Sequence, residues 1–316
     1  MPVEVQNNGN LAISNMVNST TQSQDNQVVL SQAETDALLR LVESQIAQCT
    51  FNSKDQELLS RMVESLGDKR GMVRMGFAEA LGAVGKPTVP LLLDALKNHS
   101  NVVIRRAAAK TLTLIADPTA VPNLVESLLN DEDTVVKGSS VGALARTGEA
   151  AVPYLLEILA SPEQTESIKG HAAWALAFIG AKAKEQLYVA FDSKSPEVRS
   201  AVVGAIAKVA EEEPDDRAFD LLISSLEDTS VSVRSEAAAA LGNLNYKPAI
   251  GKLIELLHHE EEESRKAAAL ALMKVGDNQV LEPLKIALER ESTETVKPVI
   301  NLAIAQLDQQ TEEDDW

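Results

Sequence analysis

A fixed repeat is the feature of this sequence that most constrains its fold. An apolar or small residue followed by Arg or Lys recurs with successive spacings of 31, 32, 32, 30, 35, 31 and 32 residues. We call the basic residue of each pair the anchor, and the anchors are Arg74, Arg105, Lys137, Lys169, Arg199, Arg234, Arg265 and Lys297. Periods of this length are typical of stacked helical hairpins that bury their apolar faces against one another. The sequence therefore predicts one elongated helical stack.

The residues that follow each anchor predict a helix. The seventh residue after an anchor is Leu or Ile in every unit, and the sixth is Ala or Thr, small enough for neighbouring helices to approach closely. In four units the eleventh residue is a glycine that would tolerate the positive φ of a helix C-terminus, namely Gly85, Gly148, Gly180 and Gly276. A second apolar helix is predicted between successive anchors, over residues 90–96, 121–129, 152–159, 219–226 and 250–257.

The repeats and the composition of the ends divide the chain into four segments. These are a disordered polar tail at 1–29, a capping helix and linker at 30–54, the repeat array at 55–308 and an acidic C-terminal tail at 309–316. The first segment has too few apolar residues to repay the entropy of ordering. Ser31 and Glu34 have the spacing of a capping box at a helix start. Residues 211–216 are predicted to lengthen a loop, which accounts for the spacing of 35.

The chain is strongly acidic, and this charge restricts its partners. It carries 29 basic and 47 acidic residues, a formal net charge of −18. Nucleic acids and anionic membranes are bound by clustered Lys and Arg, so we expect neither partner. We expect no membrane insertion, since no run approaches 18 apolar residues, and no signal peptide is predicted. With Cys49 as its single cysteine, the sequence predicts a cytoplasmic protein without a metal or a resident cofactor.

The sixth unit, from Val233 to Gly242, illustrates a pattern that identifies a family. A Leu-rich helix, an acidic turn, Val-Arg, paired alanines and Ala-Leu-Gly resemble HEAT repeats, and the short period is most similar to the phycobilisome-lyase subclass of cyanobacteria. The resemblance covers roughly residues 55–308. It implies an all-α fold, a right-handed α-solenoid of about eight HEAT-like helical hairpins. Members of this subclass attach or remove bilin chromophores on phycobiliproteins, chaperone these proteins, or act as adaptors in cofactor assembly.

A groove across the third to fifth units is the candidate binding site. In HEAT-like stacks the anchor helices line the concave face, so residues one or two, five and nine positions after an anchor should face a partner. Glycines stand at several of these positions, although each costs a helix interior roughly 1 kcal/mol relative to Ala. Trp174 and Phe178 stand at two others. The predicted groove residues are Arg106, Lys110, Gly138, Ser139, Gly142, Arg146, Gly170, His171, Trp174, Phe178, Gly204 and Lys208.

Several of these residues also have a purely structural interpretation. Trp174 and Phe178 would belong to the core if they filled the volume that neighbouring glycines and alanines leave, although the enrichment of Trp at binding hot spots favours a groove. The anchors are predicted to form a ladder of ion pairs with acidic turn residues such as Asp68, Asp131, Asp192 and Asp228. No metal site is predicted at His258 and His259, because adjacent residues project in different directions from a helix.

The predicted function is binding of a partner protein in the groove, as a chaperone or adaptor in the partner's cofactor loading, assembly or turnover. The family resemblance implies a phycobiliprotein as that partner. One alternative is a bilin lyase or lyase subunit, in which the groove holds a phycobilin and His171 assists proton transfer. The other is an adaptor in iron–sulfur cluster assembly, with a cofactor-assembly protein as its partner. No catalytic residue is predicted, since no nucleophile with a neighbouring base stands out.

Overall fold

The computed structural model describes residues 31–314, which form a helix followed by eight helical pairs. The predicted tail at 1–29 lies outside these residues. We call the second helix of each pair, which carries the anchor, the anchor helix. The helices are α1 (Gln32–Ala47), then the pairs α2 (Gln56–Glu64) and α3 (Gly71–Val84), α4 (Val89–Asn98) and α5 (Val102–Ile115), α6 (Val121–Asn130) and α7 (Thr134–Thr147), α8 (Val152–Ala160) and α9 (Glu166–Ile179), α10 (Lys184–Ala190) and α11 (Pro196–Glu212), α12 (Asp216–Ser224) and α13 (Val231–Asn243), α14 (Ile250–Leu256) and α15 (Glu262–Val275), α16 (Leu281–Arg290) and α17 (Lys297–Asp314).

Local signals in the sequence explain where many of these helices begin and end. At the start of α1, the Ser31 hydroxyl accepts a hydrogen bond from the Glu34 amide at 3.3 Å, and the Glu34 carboxylate accepts one from the Ser31 amide at 2.8 Å. The predicted capping box is therefore confirmed. The four glycines predicted at helix ends all have positive φ, between 51° and 76°.

Two boundaries differ from those that the sequence predicts. The extra residues of the fifth unit extend the anchor helix, because α11 continues through Glu211 to Glu212 and leaves a short connection to α12. At the C-terminus, α17 continues to Asp314, past the boundary at residue 308 that separates the repeats from the predicted acidic tail. In both places helix continues through strongly acidic sequence, which the apolar pattern alone does not mark as helical.

The anchor helices form the continuous layer of the stack. Each anchor helix packs on the anchor helices before and after it, and α1 packs on α3. The sixth residue after each anchor is buried in all eight units, and the seventh is buried in all but the last, where Ile304 is half-buried. Most first helices contact anchor helices more than they contact one another. The all-α solenoid is therefore confirmed, and the closer packing of the anchor helices favours their placement on the concave side.

Ion pairs join successive units beside this layer. Arg105 pairs with Asp131 at 3.0 Å, Arg199 with Asp228 at 2.7 Å, and Arg265 with Glu291 at 2.7 Å. Elsewhere the predicted ladder is wrong in detail. Asp68 pairs with Arg70, and among the described residues Asp192 forms no ion pair.

Each of the five anchor arginines also closes the turn that precedes its own helix. Its guanidinium donates to the backbone carbonyl six residues earlier, at 2.6 Å from Arg74 to Asp68 and from Arg234 to Asp228. Arg105, Arg199 and Arg265 repeat this contact at 2.9 to 3.1 Å. These five arginines are therefore structural residues that set the geometry between paired helices. None of the helices in the described part of the chain is both long enough and apolar enough to cross a bilayer.

Candidate functional site

The anchor helices present a regular surface away from the core. Residues one, five and nine positions after an anchor are exposed or half-buried in every unit, whereas those six positions after it are buried. These three positions on the eight anchor helices therefore form three rows along the stack, which we call the inner face. The predicted groove residues lie on the inner face or immediately beside it.

Trp174 and Phe178 form an exposed aromatic pair on the inner face. They stand five and nine positions after Lys169, one helical turn apart on α9, and are 51% and 49% exposed. Their ring centroids are 5.5 Å apart, with an interplanar angle of 31°. An aromatic pair with half of its surface in water is unusual in a chain with 3% aromatic residues. We call this surface the aromatic pair.

The glycines beside the aromatic pair leave open space. A Cβ atom added to Gly138, Gly142 or Gly170 would meet no atom within 4 Å outside its own helix. The aromatic rings therefore do not fill the volume that these glycines leave, and the interpretation of Trp174 and Phe178 as core residues is wrong. Gly138 and Gly142 on α7 and Gly170 on α9 form an unfilled floor next to the pair.

Two of the four basic residues predicted at the groove already form ion pairs with acidic side chains of this chain. Arg106 makes a bidentate ion pair with Asp133, at 2.9 and 2.5 Å, which lowers the pKa of the carboxyl group and raises that of the guanidinium. Lys208 pairs with Glu211 on its own helix. Lys110 and Arg146, by contrast, are exposed and form no ion pair within the described residues. Lys110 lies five positions and Arg146 nine positions after an anchor, on the two anchor helices that precede α9.

His171 and Ser139 lie at the edge of the inner face, two positions after their anchors. Both are half-buried. The Nδ1 atom of His171 is buried and has no hydrogen-bond partner among the described residues. A buried polar atom without a partner is costly, and His171 is therefore a residue whose environment a ligand would improve.

Tyr154 and Tyr188 lie on first helices, away from the aromatic pair. Tyr188 is 5% exposed, its hydroxyl donates to Asp215 at 3.0 Å, and the Arg217 guanidinium stacks over its ring at 4.3 Å from the centroid. Burial and the nearby Asp215 raise the pKa of Tyr188 to about 12. Tyr154 lies on α8, in the layer of first helices. Neither tyrosine is therefore part of the aromatic pair.

Glu236 is a residue at the edge of the inner face that sequence reasoning missed. It stands two positions after Arg234 on α13, and its Oε1 atom lies 2.8 Å from the position that a Cβ atom of Gly204 would occupy. Its side chain is exposed, although desolvation by the atoms packed around the carboxyl group raises the pKa of that group. Comparison of this column across the repeats would have found it, because the other seven residues are Gly76, Ala107, Ser139, His171, Ala201, Ala267 and Val299.

The described residues contain no group of three or more His, Cys, Asp or Glu side chains placed to hold a metal ion. His259 instead caps the turn before α15, where its Nδ1 atom accepts a hydrogen bond from the Glu261 amide at 3.0 Å. Burial and the neighbouring Arg234 lower the pKa of this imidazole. Cys49 is exposed and stands between α1 and α2, outside the repeats.

Comparison with known proteins identifies the family. A family profile described as HEAT repeats matches residues 89–168 and 219–305, slightly more than half of the chain. The bilin biosynthesis protein MpeU of Synechococcus sp. (strain WH8020) is 39% identical over 294 residues, which cover 92% of this chain and 99% of that protein. The chain belongs to the phycobilisome-lyase-like family of HEAT-repeat proteins. The family resemblance seen in the sequence is thereby confirmed.

Two further matches are shorter. The phycocyanin operon protein Z of Pseudanabaena tenuis (strain PCC 7409) is 29% identical over 116 residues, 34% of this chain and 57% of that protein. Among solved structures, the complex of CpcE and CpcF of phycocyanin lyase from Nostoc sp. PCC7120 matches with 26% identity and a TM-score of 0.43. That match covers 49% of this chain and 98% of the matched chain.

Proposed function

We propose that this chain is a scaffold that binds a phycobiliprotein and its bilin chromophore on the inner face and assists their assembly. The similarity to a bilin biosynthesis protein over nearly the whole of both chains supports this role. The observation that carries the proposal is the aromatic pair, half-exposed beside an unfilled glycine floor.

The chemistry of this surface suits a flat, conjugated, acidic molecule. An open-chain tetrapyrrole offers an extended π-system that would stack on Trp174 and Phe178. Its propionate groups would pair with Lys110 and Arg146, whose charges have no partner among the described side chains. The floor of Gly138, Gly142 and Gly170 would let the ligand or a helix of the phycobiliprotein approach the backbone of α7 and α9 closely.

The first experiment compares the wild type with the double change Trp174→Ala and Phe178→Ala. Each protein is mixed with free phycocyanobilin and with a purified phycobiliprotein subunit that lacks its bilin, and binding is measured by absorbance and by co-elution. We expect the double variant to lose at least tenfold in affinity, because exposed aromatic residues with an adjacent Arg dominate the energy of such interfaces.

Tyr154→Ala is the matched control, since Tyr154 is an exposed aromatic residue of the opposite layer, 37% exposed. The variants should retain the wild-type circular dichroism. Equal binding by the wild type and the double variant would contradict the proposal and would place any partner on the first helices or the ends of the stack.

Catalysis of bilin attachment is a second candidate function, favoured by His171. In this reaction a partner's cysteine thiol adds across a bilin double bond, so that an S–H bond breaks, S–C and C–H bonds form, and no oxidant is required. The imidazole of His171, one helical turn before Trp174, is a candidate to take the thiol proton and return it to the bilin carbon. We expect His171→Gln to retain bilin binding and to slow covalent attachment, measured as pigment that remains on the partner after acid denaturation. Attachment at the wild-type rate would exclude this role.

A cytoplasmic location remains our proposal. The lone exposed thiol of Cys49 favours it, because proteins of oxidising compartments tend to pair their cysteines.

A further inference from the structure

The carboxylate of Glu236, on α13, lies against Gly204 of the inner face, on α11. Its Oε1, Cδ and Cγ atoms lie 2.8, 3.6 and 3.9 Å from the position of a Cβ atom on Gly204. Any side chain larger than hydrogen at this position would therefore push the carboxylate away from α11. Gly204 differs in this respect from the floor glycines, whose side-chain positions are empty.

Glu236 has no partner for its charge within the described residues. The nearest anchor, Arg234, donates instead to the Asp228 carbonyl and the Ser264 hydroxyl and pairs with Glu261. Lys208, four positions after Gly204, pairs with Glu211. The side chain of Glu236 is exposed, so its carboxylate is open to an incoming donor, and a hydrogen bond to a charged group is stronger than one between neutral groups.

The position of this carboxylate relative to the aromatic pair is fixed by the repeat. Gly204 stands five positions after its anchor on α11, as Trp174 does on the adjacent α9. On the other side of the pair, Lys110 and Arg146 lie on α5 and α7. Along the described part of the stack, a cation without an ion pair stands on α5 and another on α7, beside two of the floor glycines. The third floor glycine and the aromatic pair follow on α9, and a carboxylate without an ion pair lies against α11.

We propose that Glu236 accepts hydrogen bonds from the N–H groups of a flat ligand stacked on the aromatic pair, whose acidic groups point toward Lys110 and Arg146. The site thus selects a conjugated molecule with N–H donors and carboxylates at separate places. This inference rests on the proposed function, in which the ligand is a bilin with pyrrole N–H groups and propionates. Glu236 is then the residue that fixes the direction of the bilin along the stack.

The test is an absorbance titration of the full chain and its variants with free phycocyanobilin. We expect Glu236→Gln to weaken the affinity about tenfold, since a hydrogen bond to a charged group contributes at least that factor, and to shift the visible band of the bound pigment. Gly204→Ala should displace the carboxylate and produce a smaller change of the same kind. Glu79→Gln is the matched control, because Glu79 is an exposed inner-face glutamate without an ion pair, and this variant should bind as the wild type does.

Three outcomes would overturn the inference. If Glu236→Gln binds and absorbs as the wild type while the Trp174→Ala and Phe178→Ala variant loses the bilin, Glu236 has no role and the proposed function stands. If Glu236→Gln weakens only the binding of the bilin-free phycobiliprotein subunit, the carboxylate contacts the protein partner instead. If the wild type binds no phycocyanobilin, this inference and the bilin part of the proposed function both fail.

Discussion

At the scale of single residues, the pair of Arg265 and Glu291 offers a direct test of the ladder. Glu291 has a side chain that is 4% exposed, and Arg265 donates to both of its oxygens, at 2.7 and 3.0 Å. We expect Glu291→Gln to reduce the free energy of unfolding at pH 7 by about 1–3 kcal/mol, because the Arg265 charge loses its partner. Urea unfolding measures this difference.

The effect of pH on this variant has a definite sign. Pairing with Arg265 lowers the pKa of Glu291 from its ordinary value of 4.5 to about 2. The pair therefore contributes its full stability above pH 4.5 and loses it as the pH falls toward 2, where the folded wild type also becomes protonated. The gap between the variant and the wild type should shrink over this range. Glu282→Gln, at an exposed residue of α16, is the control, and a constant gap would mean that the charge of Glu291 is not what stabilises the fold.

At the scale of the helix, the glycines of the anchor helices allow the stability cost of a helical glycine to be measured apart from any role in binding. Replacing Gly138 or Gly142 by Ala places a methyl group in open space, so we expect each change to stabilise the chain by roughly 0.5–1 kcal/mol through helix propensity alone. Gly242→Ala is the matched control, since its Cβ would lie 2.9 Å from the Cα of Ala271 and should destabilise the contact of α13 with α15. Thermal unfolding compares the three variants. Destabilisation by Gly142→Ala would show that the floor is not open.

The helix is also the scale at which sequence and structure agree best. The Leu or Ile seven positions after an anchor predicts the buried face correctly because packing repeats from unit to unit. The contacts of the inner face are less predictable, since an exposed side chain there can reach several neighbours at similar distances. Arg106 is equally placed for a ligand or for Asp133, and only the structure shows that it pairs with Asp133. The contact of Glu236 with Gly204 joins residues 32 positions apart, which no local pattern marks.

At the scale of the whole molecule, each unit of the stack is held chiefly by the units before and after it, and the two ends differ. The N-terminal unit is covered, because α1 packs on α3 and its Leu39 approaches Gly76 closely. Within the described residues no helix follows α17, and Leu302 on its inner face is 55% exposed. In such a stack, local stability depends on how many neighbours a unit has.

Native-state hydrogen exchange should therefore detect fraying from the C-terminal end. We expect the amides of α17 to exchange at least tenfold faster than those of α7, α9 and α11, with α3 between them, because within the described residues α17 packs on one anchor helix and the other three each pack on two. The residues six positions after the anchors, which are buried in every unit, provide equivalent probes, for example Ala80, Ala143 and Ala303. Equal protection at all three would contradict this expectation, since it would mean that the stack opens as one cooperative unit. A partner that binds the inner face should slow exchange most in α7 to α11, so the same experiment maps where the partner binds.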